Sequence, residues 1–365
     1  MRIPFFNKQI FNKQFFSRSF FEKPTATSAD ALPVDGETNV VRRVIATAAG
    51  CVALVVLVLG FYWSREPAQF SVMQNVNERL SAVGYEYVVG SATTAALIEV
   101  TETLLDKPGG YLSNDKIPPG LYLDNIPNWE FGALVQVRDL ARAMRETFSR
   151  SQSQSVEDAD LIISEPRLSF DNNSWLFPPT ESEYQEAIVR LNSYLMRIAD
   201  DNQSDAQFYA RADNLANWLL NVESRLGSLS QRLSASVRQE RVNTDISGDP
   251  GAAQSTPTQT ELSVKTPWLL IDDVFYEARG ATWAMIHFLK AAEVDFGQVL
   301  DDKNANASLQ QIIRDLEYSQ RTVFFPVILN GSGYGVFANH SLTMANYISR
   351  ANAAISDLRE LLSQG

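Results

Sequence analysis

From Val44 to Trp63 the chain runs for twenty residues, VIATAAGCVALVVLVLGFYW, without a charge. A helix rises about 1.5 Å per residue, so this stretch covers about 30 Å, the thickness of a bilayer's hydrocarbon core. Arg42 and Arg43 stand before it, Tyr62 and Trp63 close it, and Arg65 and Glu66 follow. A basic flank at one end and aromatic side chains at the other are the expected ends of a membrane span. Everything after Trp63 must then fold on one side of a membrane.

The distribution of Lys and Arg predicts which side. Residues 1–43 hold seven basic residues and four acids; the whole chain has 31 basic and 43 acidic residues, so 24 and 39 remain after the span, a net of −15. A basic tail in the cytoplasm and an acidic domain exported to the far side is the expected topology. A cleaved signal peptide would have a shorter apolar core ending in small residues, whereas this run ends in Phe61-Tyr62-Trp63. Ala48-Ala49-Gly50-Cys51 has a faint likeness to a lipoprotein box, but the apolar run continues beyond it, so an uncleaved anchor is expected. Cys51 is the sole cysteine, which leaves the domain to be stabilised by packing alone. About 300 residues are ample for that, in one large domain or two. The acidic balance argues against binding nucleic acid, or an anionic membrane, through the bulk surface.

The tail carries a five-residue repeat, FFNKQ, IFNKQ, FFSRS, FFEKP, from Phe5 to Pro24. A period of five keeps a constant face on neither a helix nor a strand. Aromatics interleaved with cations suit the interface of an anionic leaflet, or a tail with no regular structure. Residues 25–40 read as linker.

Beyond the span the periodicity is helical. Leu97, Val100 and Leu104 mark a helix over 91–106. A loop with three prolines over 111–128, longer than most connections, is either packed down by Tyr111, Tyr122 and Trp129 or functional. Leu134, Val137, Ala141, Met144 and Phe148 then repeat at 3, 4, 3, 4. Thr180 with Glu183 reads as a capping box before Tyr184, Ile188, Leu191, Leu195 and Ile198. Ser204 with Gln207 is expected to cap a second helix, with Phe208, Ala212, Leu215, Leu219, Val222, Leu226, Leu229 and Leu233 on a heptad seam. Joined by a short turn, the two predict an antiparallel hairpin of coiled-coil type. Residues 243–266, rich in Ser, Thr, Pro and Gly, read as a flexible linker. Thr266 and Pro267 then look like N-cap and first residue of a helix through Val274, Ala278, Ala281, Met285, Phe288 and Ala292. A short helix to Ser319, a β-rich stretch broken by Pro326, a glycine turn over 330–335, and a helix carrying Ile348, Ala351, Ile355, Leu358 and Leu362 complete the chain.

Residues for chemistry are sparse. His287 has no acid at helical spacing, and Glu277 lies about 15 Å away along the same helix, too far to share a metal. His340 is flanked by Val336, Phe337, Thr343 and Met344. Both read as packed or surface histidines. Gly331-Ser332-Gly333-Tyr334-Gly335 lacks the Lys and Ser/Thr of a phosphate loop and reads as a turn. Ser113 and Lys116 have the Ser-x-x-Lys spacing, but Ile117-Pro118-Pro119 forbids the helix that chemistry requires. Asp272, Asp273 and Glu277 cluster on one helix, facing water or a cation. No catalytic, cofactor-binding or metal residue is assigned, and no cofactor.

Six stretches, LLDKPGGYLSND (104–115), IPNWEFG (126–132), DAQFYARADNLANWL (205–219), LGSLSQRLSAS (226–236), DDVFYEARG (272–280) and ANHSLTMANYISRANAAI (338–355), resemble a proteobacterial family of single-span inner-membrane proteins classified as a domain of unknown function. The resemblance implies an inner-membrane anchor and a periplasmic domain, and carries over no catalytic residues.

The expected protein is a mainly α helical bundle with a long antiparallel hairpin, on one N-terminal transmembrane helix. It divides into a cytoplasmic tail (1–43), the span (44–63), a helical region (67–242), a linker (243–266) and a C-terminal helical region (267–365) packing on the first. Expected partners are the lipid bilayer through Val44–Trp63, an envelope protein, and a second copy through Ala46, Gly50 and Ala53, small residues at i, i+4 and i+7. The leading functional reading is a non-enzymatic scaffold or adaptor. A ligand sensor or carrier comes second, favoured if Trp129, Trp175 or Trp283 lines an apolar cleft. A hydrolase comes third, favoured if His287 or His340 meets acids from other helices.

Overall fold

The computed structural model describes residues 35–151, 156–200, 206–242, 261–323, 328–332 and 334–364. The repeat tail and Ser204 lie outside them. The chain divides into two units, Met1–Ala53 and Leu54–Gly365. Helix α1, Asp35–Trp63, runs through both, so the helix begins inside the expected linker, well before Val44. Its stretch Asn39–Trp63 is long and apolar enough to cross a membrane, and its side chains are almost all exposed. An apolar helix left bare in this way lacks the polar face that a helix of a water-soluble bundle presents.

In the second unit, α2 (Val72–Ser81), α3 (Ser91–Asp106), α4 (Asn125–Ala143), α5 (Leu161–Leu168), α6 (Thr180–Ala199) and α7 (Ala212–Ser234) precede a two-stranded ribbon. The ribbon pairs β1 (Gln239–Val242) antiparallel with β2 (Glu261–Val264), so the ends of the expected linker are bound to each other. Then come α8 (Ile271–Asp295), α9 (Gly297–Asp302), α10 (Asn306–Ser319) and α11 (His340–Ser363). The mainly α bundle expected from the periodicity is what forms.

Its centre is the crossing of α4 and α8. A methyl built on Gly132 would lie 1.9 Å from the Glu277 carbonyl oxygen, and one on Gly280 would lie 1.8 Å from that of Trp129. Only glycine at both positions lets the two backbones touch. Around this contact α3 packs on α4, α6 and α8, and α10 bridges α8 and α11. The 3,4 seams are buried as expected from Leu134 to Phe148, from Leu215 to Leu233 and from Ile348 to Leu362.

Three local expectations are corrected. The α7 seam lies along α11, whereas α6 packs on α3 and α5, so the α6–α7 hairpin is absent among the described residues. A heptad seam demands an apolar partner without naming it, and α11 presents a matching row. Second, Thr180 and Glu183 make no capping box. The Thr180 hydroxyl donates to the Asp171 and Ser174 carbonyls, and Glu183 pairs with Arg167. Third, helices start elsewhere than the cap residues suggest. α7 begins at Ala212, leaving Phe208 in the preceding loop, and a 3-10 turn, Trp268–Leu270, separates Pro267 from α8. α4 starts at Asn125, inside the expected loop.

Two buried carboxylates tie distant segments together. Asp295, at the end of α8, accepts from Gly90 N (2.8 Å), Thr93 N (2.6 Å) and the Tyr87 hydroxyl (2.8 Å), so it caps α3 from another helix. Gly90, with φ +98°, has no side chain to do so. Burial pushes the Asp295 carboxyl up, and these donors oppose the shift. Glu130 of α4 pairs with Lys107, both fully buried, and accepts from Leu112 N and Ser113 N at 2.8 Å. This folds the 107–113 loop against the end of α1. A methyl on Gly109 (φ +91°) would lie 2.7 Å from the Trp63 ring.

Candidate functional site

On α8, Phe275, Arg279, Trp283 and His287 follow one another at intervals of four and so share one face. That face receives the segment leaving α1. The buried Arg279 guanidinium forks onto Glu66, its Nε 2.6 Å from Oε1 and its Nη2 on Oε2. Its Nη1 donates to the Ser319 (2.9 Å) and Arg321 (3.0 Å) carbonyls past the end of α10. One cation therefore holds the segment that follows the apolar helix and closes a helix C-terminus.

His287 fastens the same segment two turns further on. Its Nδ1–H donates to the Trp283 carbonyl (2.8 Å), which leaves Nε2 to accept from Phe70 N (3.1 Å). The Phe70 ring stacks on the imidazole at 4.0 Å. Burial pushes this histidine down to about 4, with nearby Lys290 acting in the same direction. Both ring nitrogens are thus used in a neutral, packed side chain. His340 opens α11, where Nδ1 accepts from Leu329 N (3.2 Å) and the ring lies 6.4 Å from Phe275. Among the described residues neither histidine hydrogen-bonds a carboxylate, and no three His, Cys, Asp or Glu side chains gather as a metal site.

Two cavities flank Arg279. The first, about 340 Å³, is walled by Phe275, Tyr318, His340, Met344 and Tyr347. Tyr318 and Tyr347 stack at 5.5 Å, and the Arg321 guanidinium lies 4.8 Å from the Tyr318 ring centre. The second, about 550 Å³, is more polar and opens between Phe61, Glu66, Tyr276, Trp283 and Gln320. Arg279, Thr322 and Val323 line both. An aromatic wall with a few convergent polar groups is the usual make-up of a small-molecule site.

Of the residues singled out in the sequence, Trp129 and Trp283 pack together in the core at 5.1 Å, Trp283 also bordering the second cavity, while Trp175 is exposed. Glu277 meets a cation, Arg232, and Asp273 accepts from Asn128 Nδ2 at 2.8 Å. Ser113 and Lys116 diverge, Ser113 turning to Glu130 and Lys116 to Asn173. Tyr318 lies in none of the stretches singled out in the sequence, and Arg279 and Tyr347, though inside DDVFYEARG and ANHSLTMANYISRANAAI, belong to no chemical motif. The one signal for Arg279 is a cation set between Phe275 and Trp283 on an otherwise apolar helix face.

No curated protein and no solved structure matches the chain. A family model described as an uncharacterized protein conserved in bacteria (DUF2333) matches residues 37–365, nearly the whole length. The chain therefore belongs to the DUF2333 family of bacteria.

Proposed function

We propose that this chain is a single-span protein of the bacterial inner membrane, with its tail in the cytoplasm and its domain in the periplasm, and that the domain is a non-enzymatic binder of a small amphipathic or aromatic molecule. The observation that carries this reading is the position of Arg279, which lines the aromatic cavity and also grips Glu66, three residues beyond the end of the apolar helix. A molecule seated against Phe275, Tyr318 and Tyr347 touches the group that holds the anchor segment, so binding and anchor position are coupled. The acidic domain and basic tail support the orientation.

Native mass spectrometry of the full chain released from detergent tests the binding. A small molecule should accompany the wild type and be lost from Thr343→Trp, which fills the cavity; equal spectra for the two would end the reading. For topology, a reporter active only in the periplasm should work after Gly365 and fail after Thr38.

A second reading, an adaptor for another envelope protein, is favoured by the turn after Asn330, where Tyr334, Val336 and Phe337 are fully or largely exposed. A photo-crosslinking residue at Tyr334 should trap one defined protein if this is so. Dimerisation through Ala46, Gly50 and Ala53 belongs with it, and Gly50→Ile should weaken self-association in a membrane two-hybrid assay.

A further inference from the structure

The connection after α3 ends on the apolar helix itself. A methyl on Gly60 would lie 3.6 Å from Pro119 Cβ and 3.9 Å from a Leu123 methyl, so residues 119–123 rest on the last turn of α1. Between these two anchored residues Leu121 and Tyr122 point away from the protein, as does Ile117 just before them, Tyr122 being 72% exposed. Next to this tip is another. Lys116 Nζ donates to Asn173 Oδ1 (3.0 Å) and Asn114 Nδ2 to the Ser174 carbonyl (2.8 Å), which fixes the 171–178 loop alongside. That loop ends in Trp175, Leu176 and Phe177, all exposed. Phe177 is 93% exposed and held at φ +58°, a costly conformation for a residue with a side chain. The third tip precedes α8, whose first turn is tied to that of α4 by Asn128 and Asp273. There Trp268, Leu269 and Leu270 stand in the open, Trp268 79% exposed.

Three neighbouring loops thus each turn Trp, Tyr, Phe, Leu or Ile outward, at the end of the domain where α1 leaves it. Aromatic and aliphatic side chains clustered this way are disfavoured in water and stable at the headgroup boundary of a bilayer. Arg65 lies 5.9 and 5.7 Å from the Phe61 and Tyr62 ring centres, a cation beside two aromatic rings at the end of the apolar helix, the pairing expected at a membrane interface. We propose that the domain sits on the same bilayer that α1 crosses, with the tips at Tyr122, Phe177 and Trp268 inserted into the facing leaflet as an aromatic collar around the span. This rests on the reading of α1 as a membrane span. The occupant is the lipid interface, held by apolar side chains, so seating should be insensitive to salt and to the anionic lipid fraction.

The test uses the full chain in vesicles of phosphatidylcholine containing spin-labelled acyl chains. A fluorophore is placed on Cys51, or on a Cys51→Ser background at Tyr122→Cys, Phe177→Cys, Trp268→Cys or Val83→Cys. Val83 is exposed and apolar but sits between α2 and Tyr87, which bonds Asp295 at the opposite end of α8. The three tips should be quenched by the lipid labels at least about twofold more than Val83, an unbound surface position giving only background. The label on Cys51, in the chain that keeps this residue, should be quenched as well. Quenching at Cys51 with tips equal to Val83 would overturn the seated domain and leave the span intact; no quenching at Cys51 would overturn the span and the collar together.

Discussion

The two ends of α8 follow different rules. At its C-terminal end His287 and Asp295 are themselves enclosed, His287 with both ring nitrogens engaged and Asp295 accepting from two backbone N–H groups. At its N-terminal end Trp268 and Leu269 lie open, beside equally open tips from two other loops. One chain buries Trp129 and Trp283 completely and leaves Trp175 and Trp268 outside. A protein able to enclose two tryptophans at a helix crossing does not strand two others for want of a core. The contrast separates a part organised by exclusion of water from a part that leaves its apolar side chains in the open.

Substitutions should divide along the same line. Gly280→Val, in the buried half, has the largest expected effect. Its Cβ meets the Trp129 carbonyl, the crossing must open, and a loss of more than about 4 kcal/mol should leave little folded chain in a detergent-solubilised preparation. Glu130→Ala follows, since it leaves the buried Lys107 charge with no counter-charge and only the Gly110 carbonyl to accept from it, at a cost of about 3–5 kcal/mol. Thermal unfolding should register that loss, and proteolysis should open the 107–115 loop.

A third prediction concerns pH. The unfolded chain takes up a proton at His287 near 6.5, whereas the folded chain refuses it until about 4. Stability from this group is therefore complete above pH 6.5 and falls as pH drops through that interval, by up to about 3 kcal/mol. Chemical denaturation at several pH values should show the slope, and the difference between wild type and His287→Leu should isolate it. A difference that is flat between pH 6.5 and 4 would contradict the neutral, buried imidazole. The smallest effect belongs to the open end. Trp268→Ser and Phe177→Ser should each move stability by less than about 0.5 kcal/mol, because neither side chain supports the fold. A large loss from either would show that the open end is packed after all, and would erase the comparison.

Periodicity carried much of the architecture. The apolar helix, the seams of α4, α7 and α11, and the core face of α8 could be read from spacing, because burial on one face imposes a 3.6-residue repeat. Pairing could not. The leucines of α7 fit any complementary row, and only the assembled bundle selects α11 over α6. Short elements escaped as well: α2 has too few turns to establish a period, and α5 contains Pro166. Caps misled because Thr180 found carbonyls brought to it by the 171–178 loop, a long-range circumstance with no local signature. The candidate site was almost illegible for the same reason. Arg279 matters through Glu66 and two carbonyls past Leu316, and Tyr318 through Tyr347, partners that sequence neighbours do not disclose.

The capping of α3 by Asp295 has a consequence in time. Gly90 N and Thr93 N wait for an acceptor more than two hundred residues downstream, and Glu66 and Phe70 likewise wait for Arg279 and His287. A ribosome finishes the first helices long before it makes the residues that lock them. The early segments must stand unsealed through most of translation, and the segment that follows the apolar helix is secured only when α8 arrives. Contacts this distant along the chain slow folding, so the order of synthesis and the order of assembly run in opposite directions here.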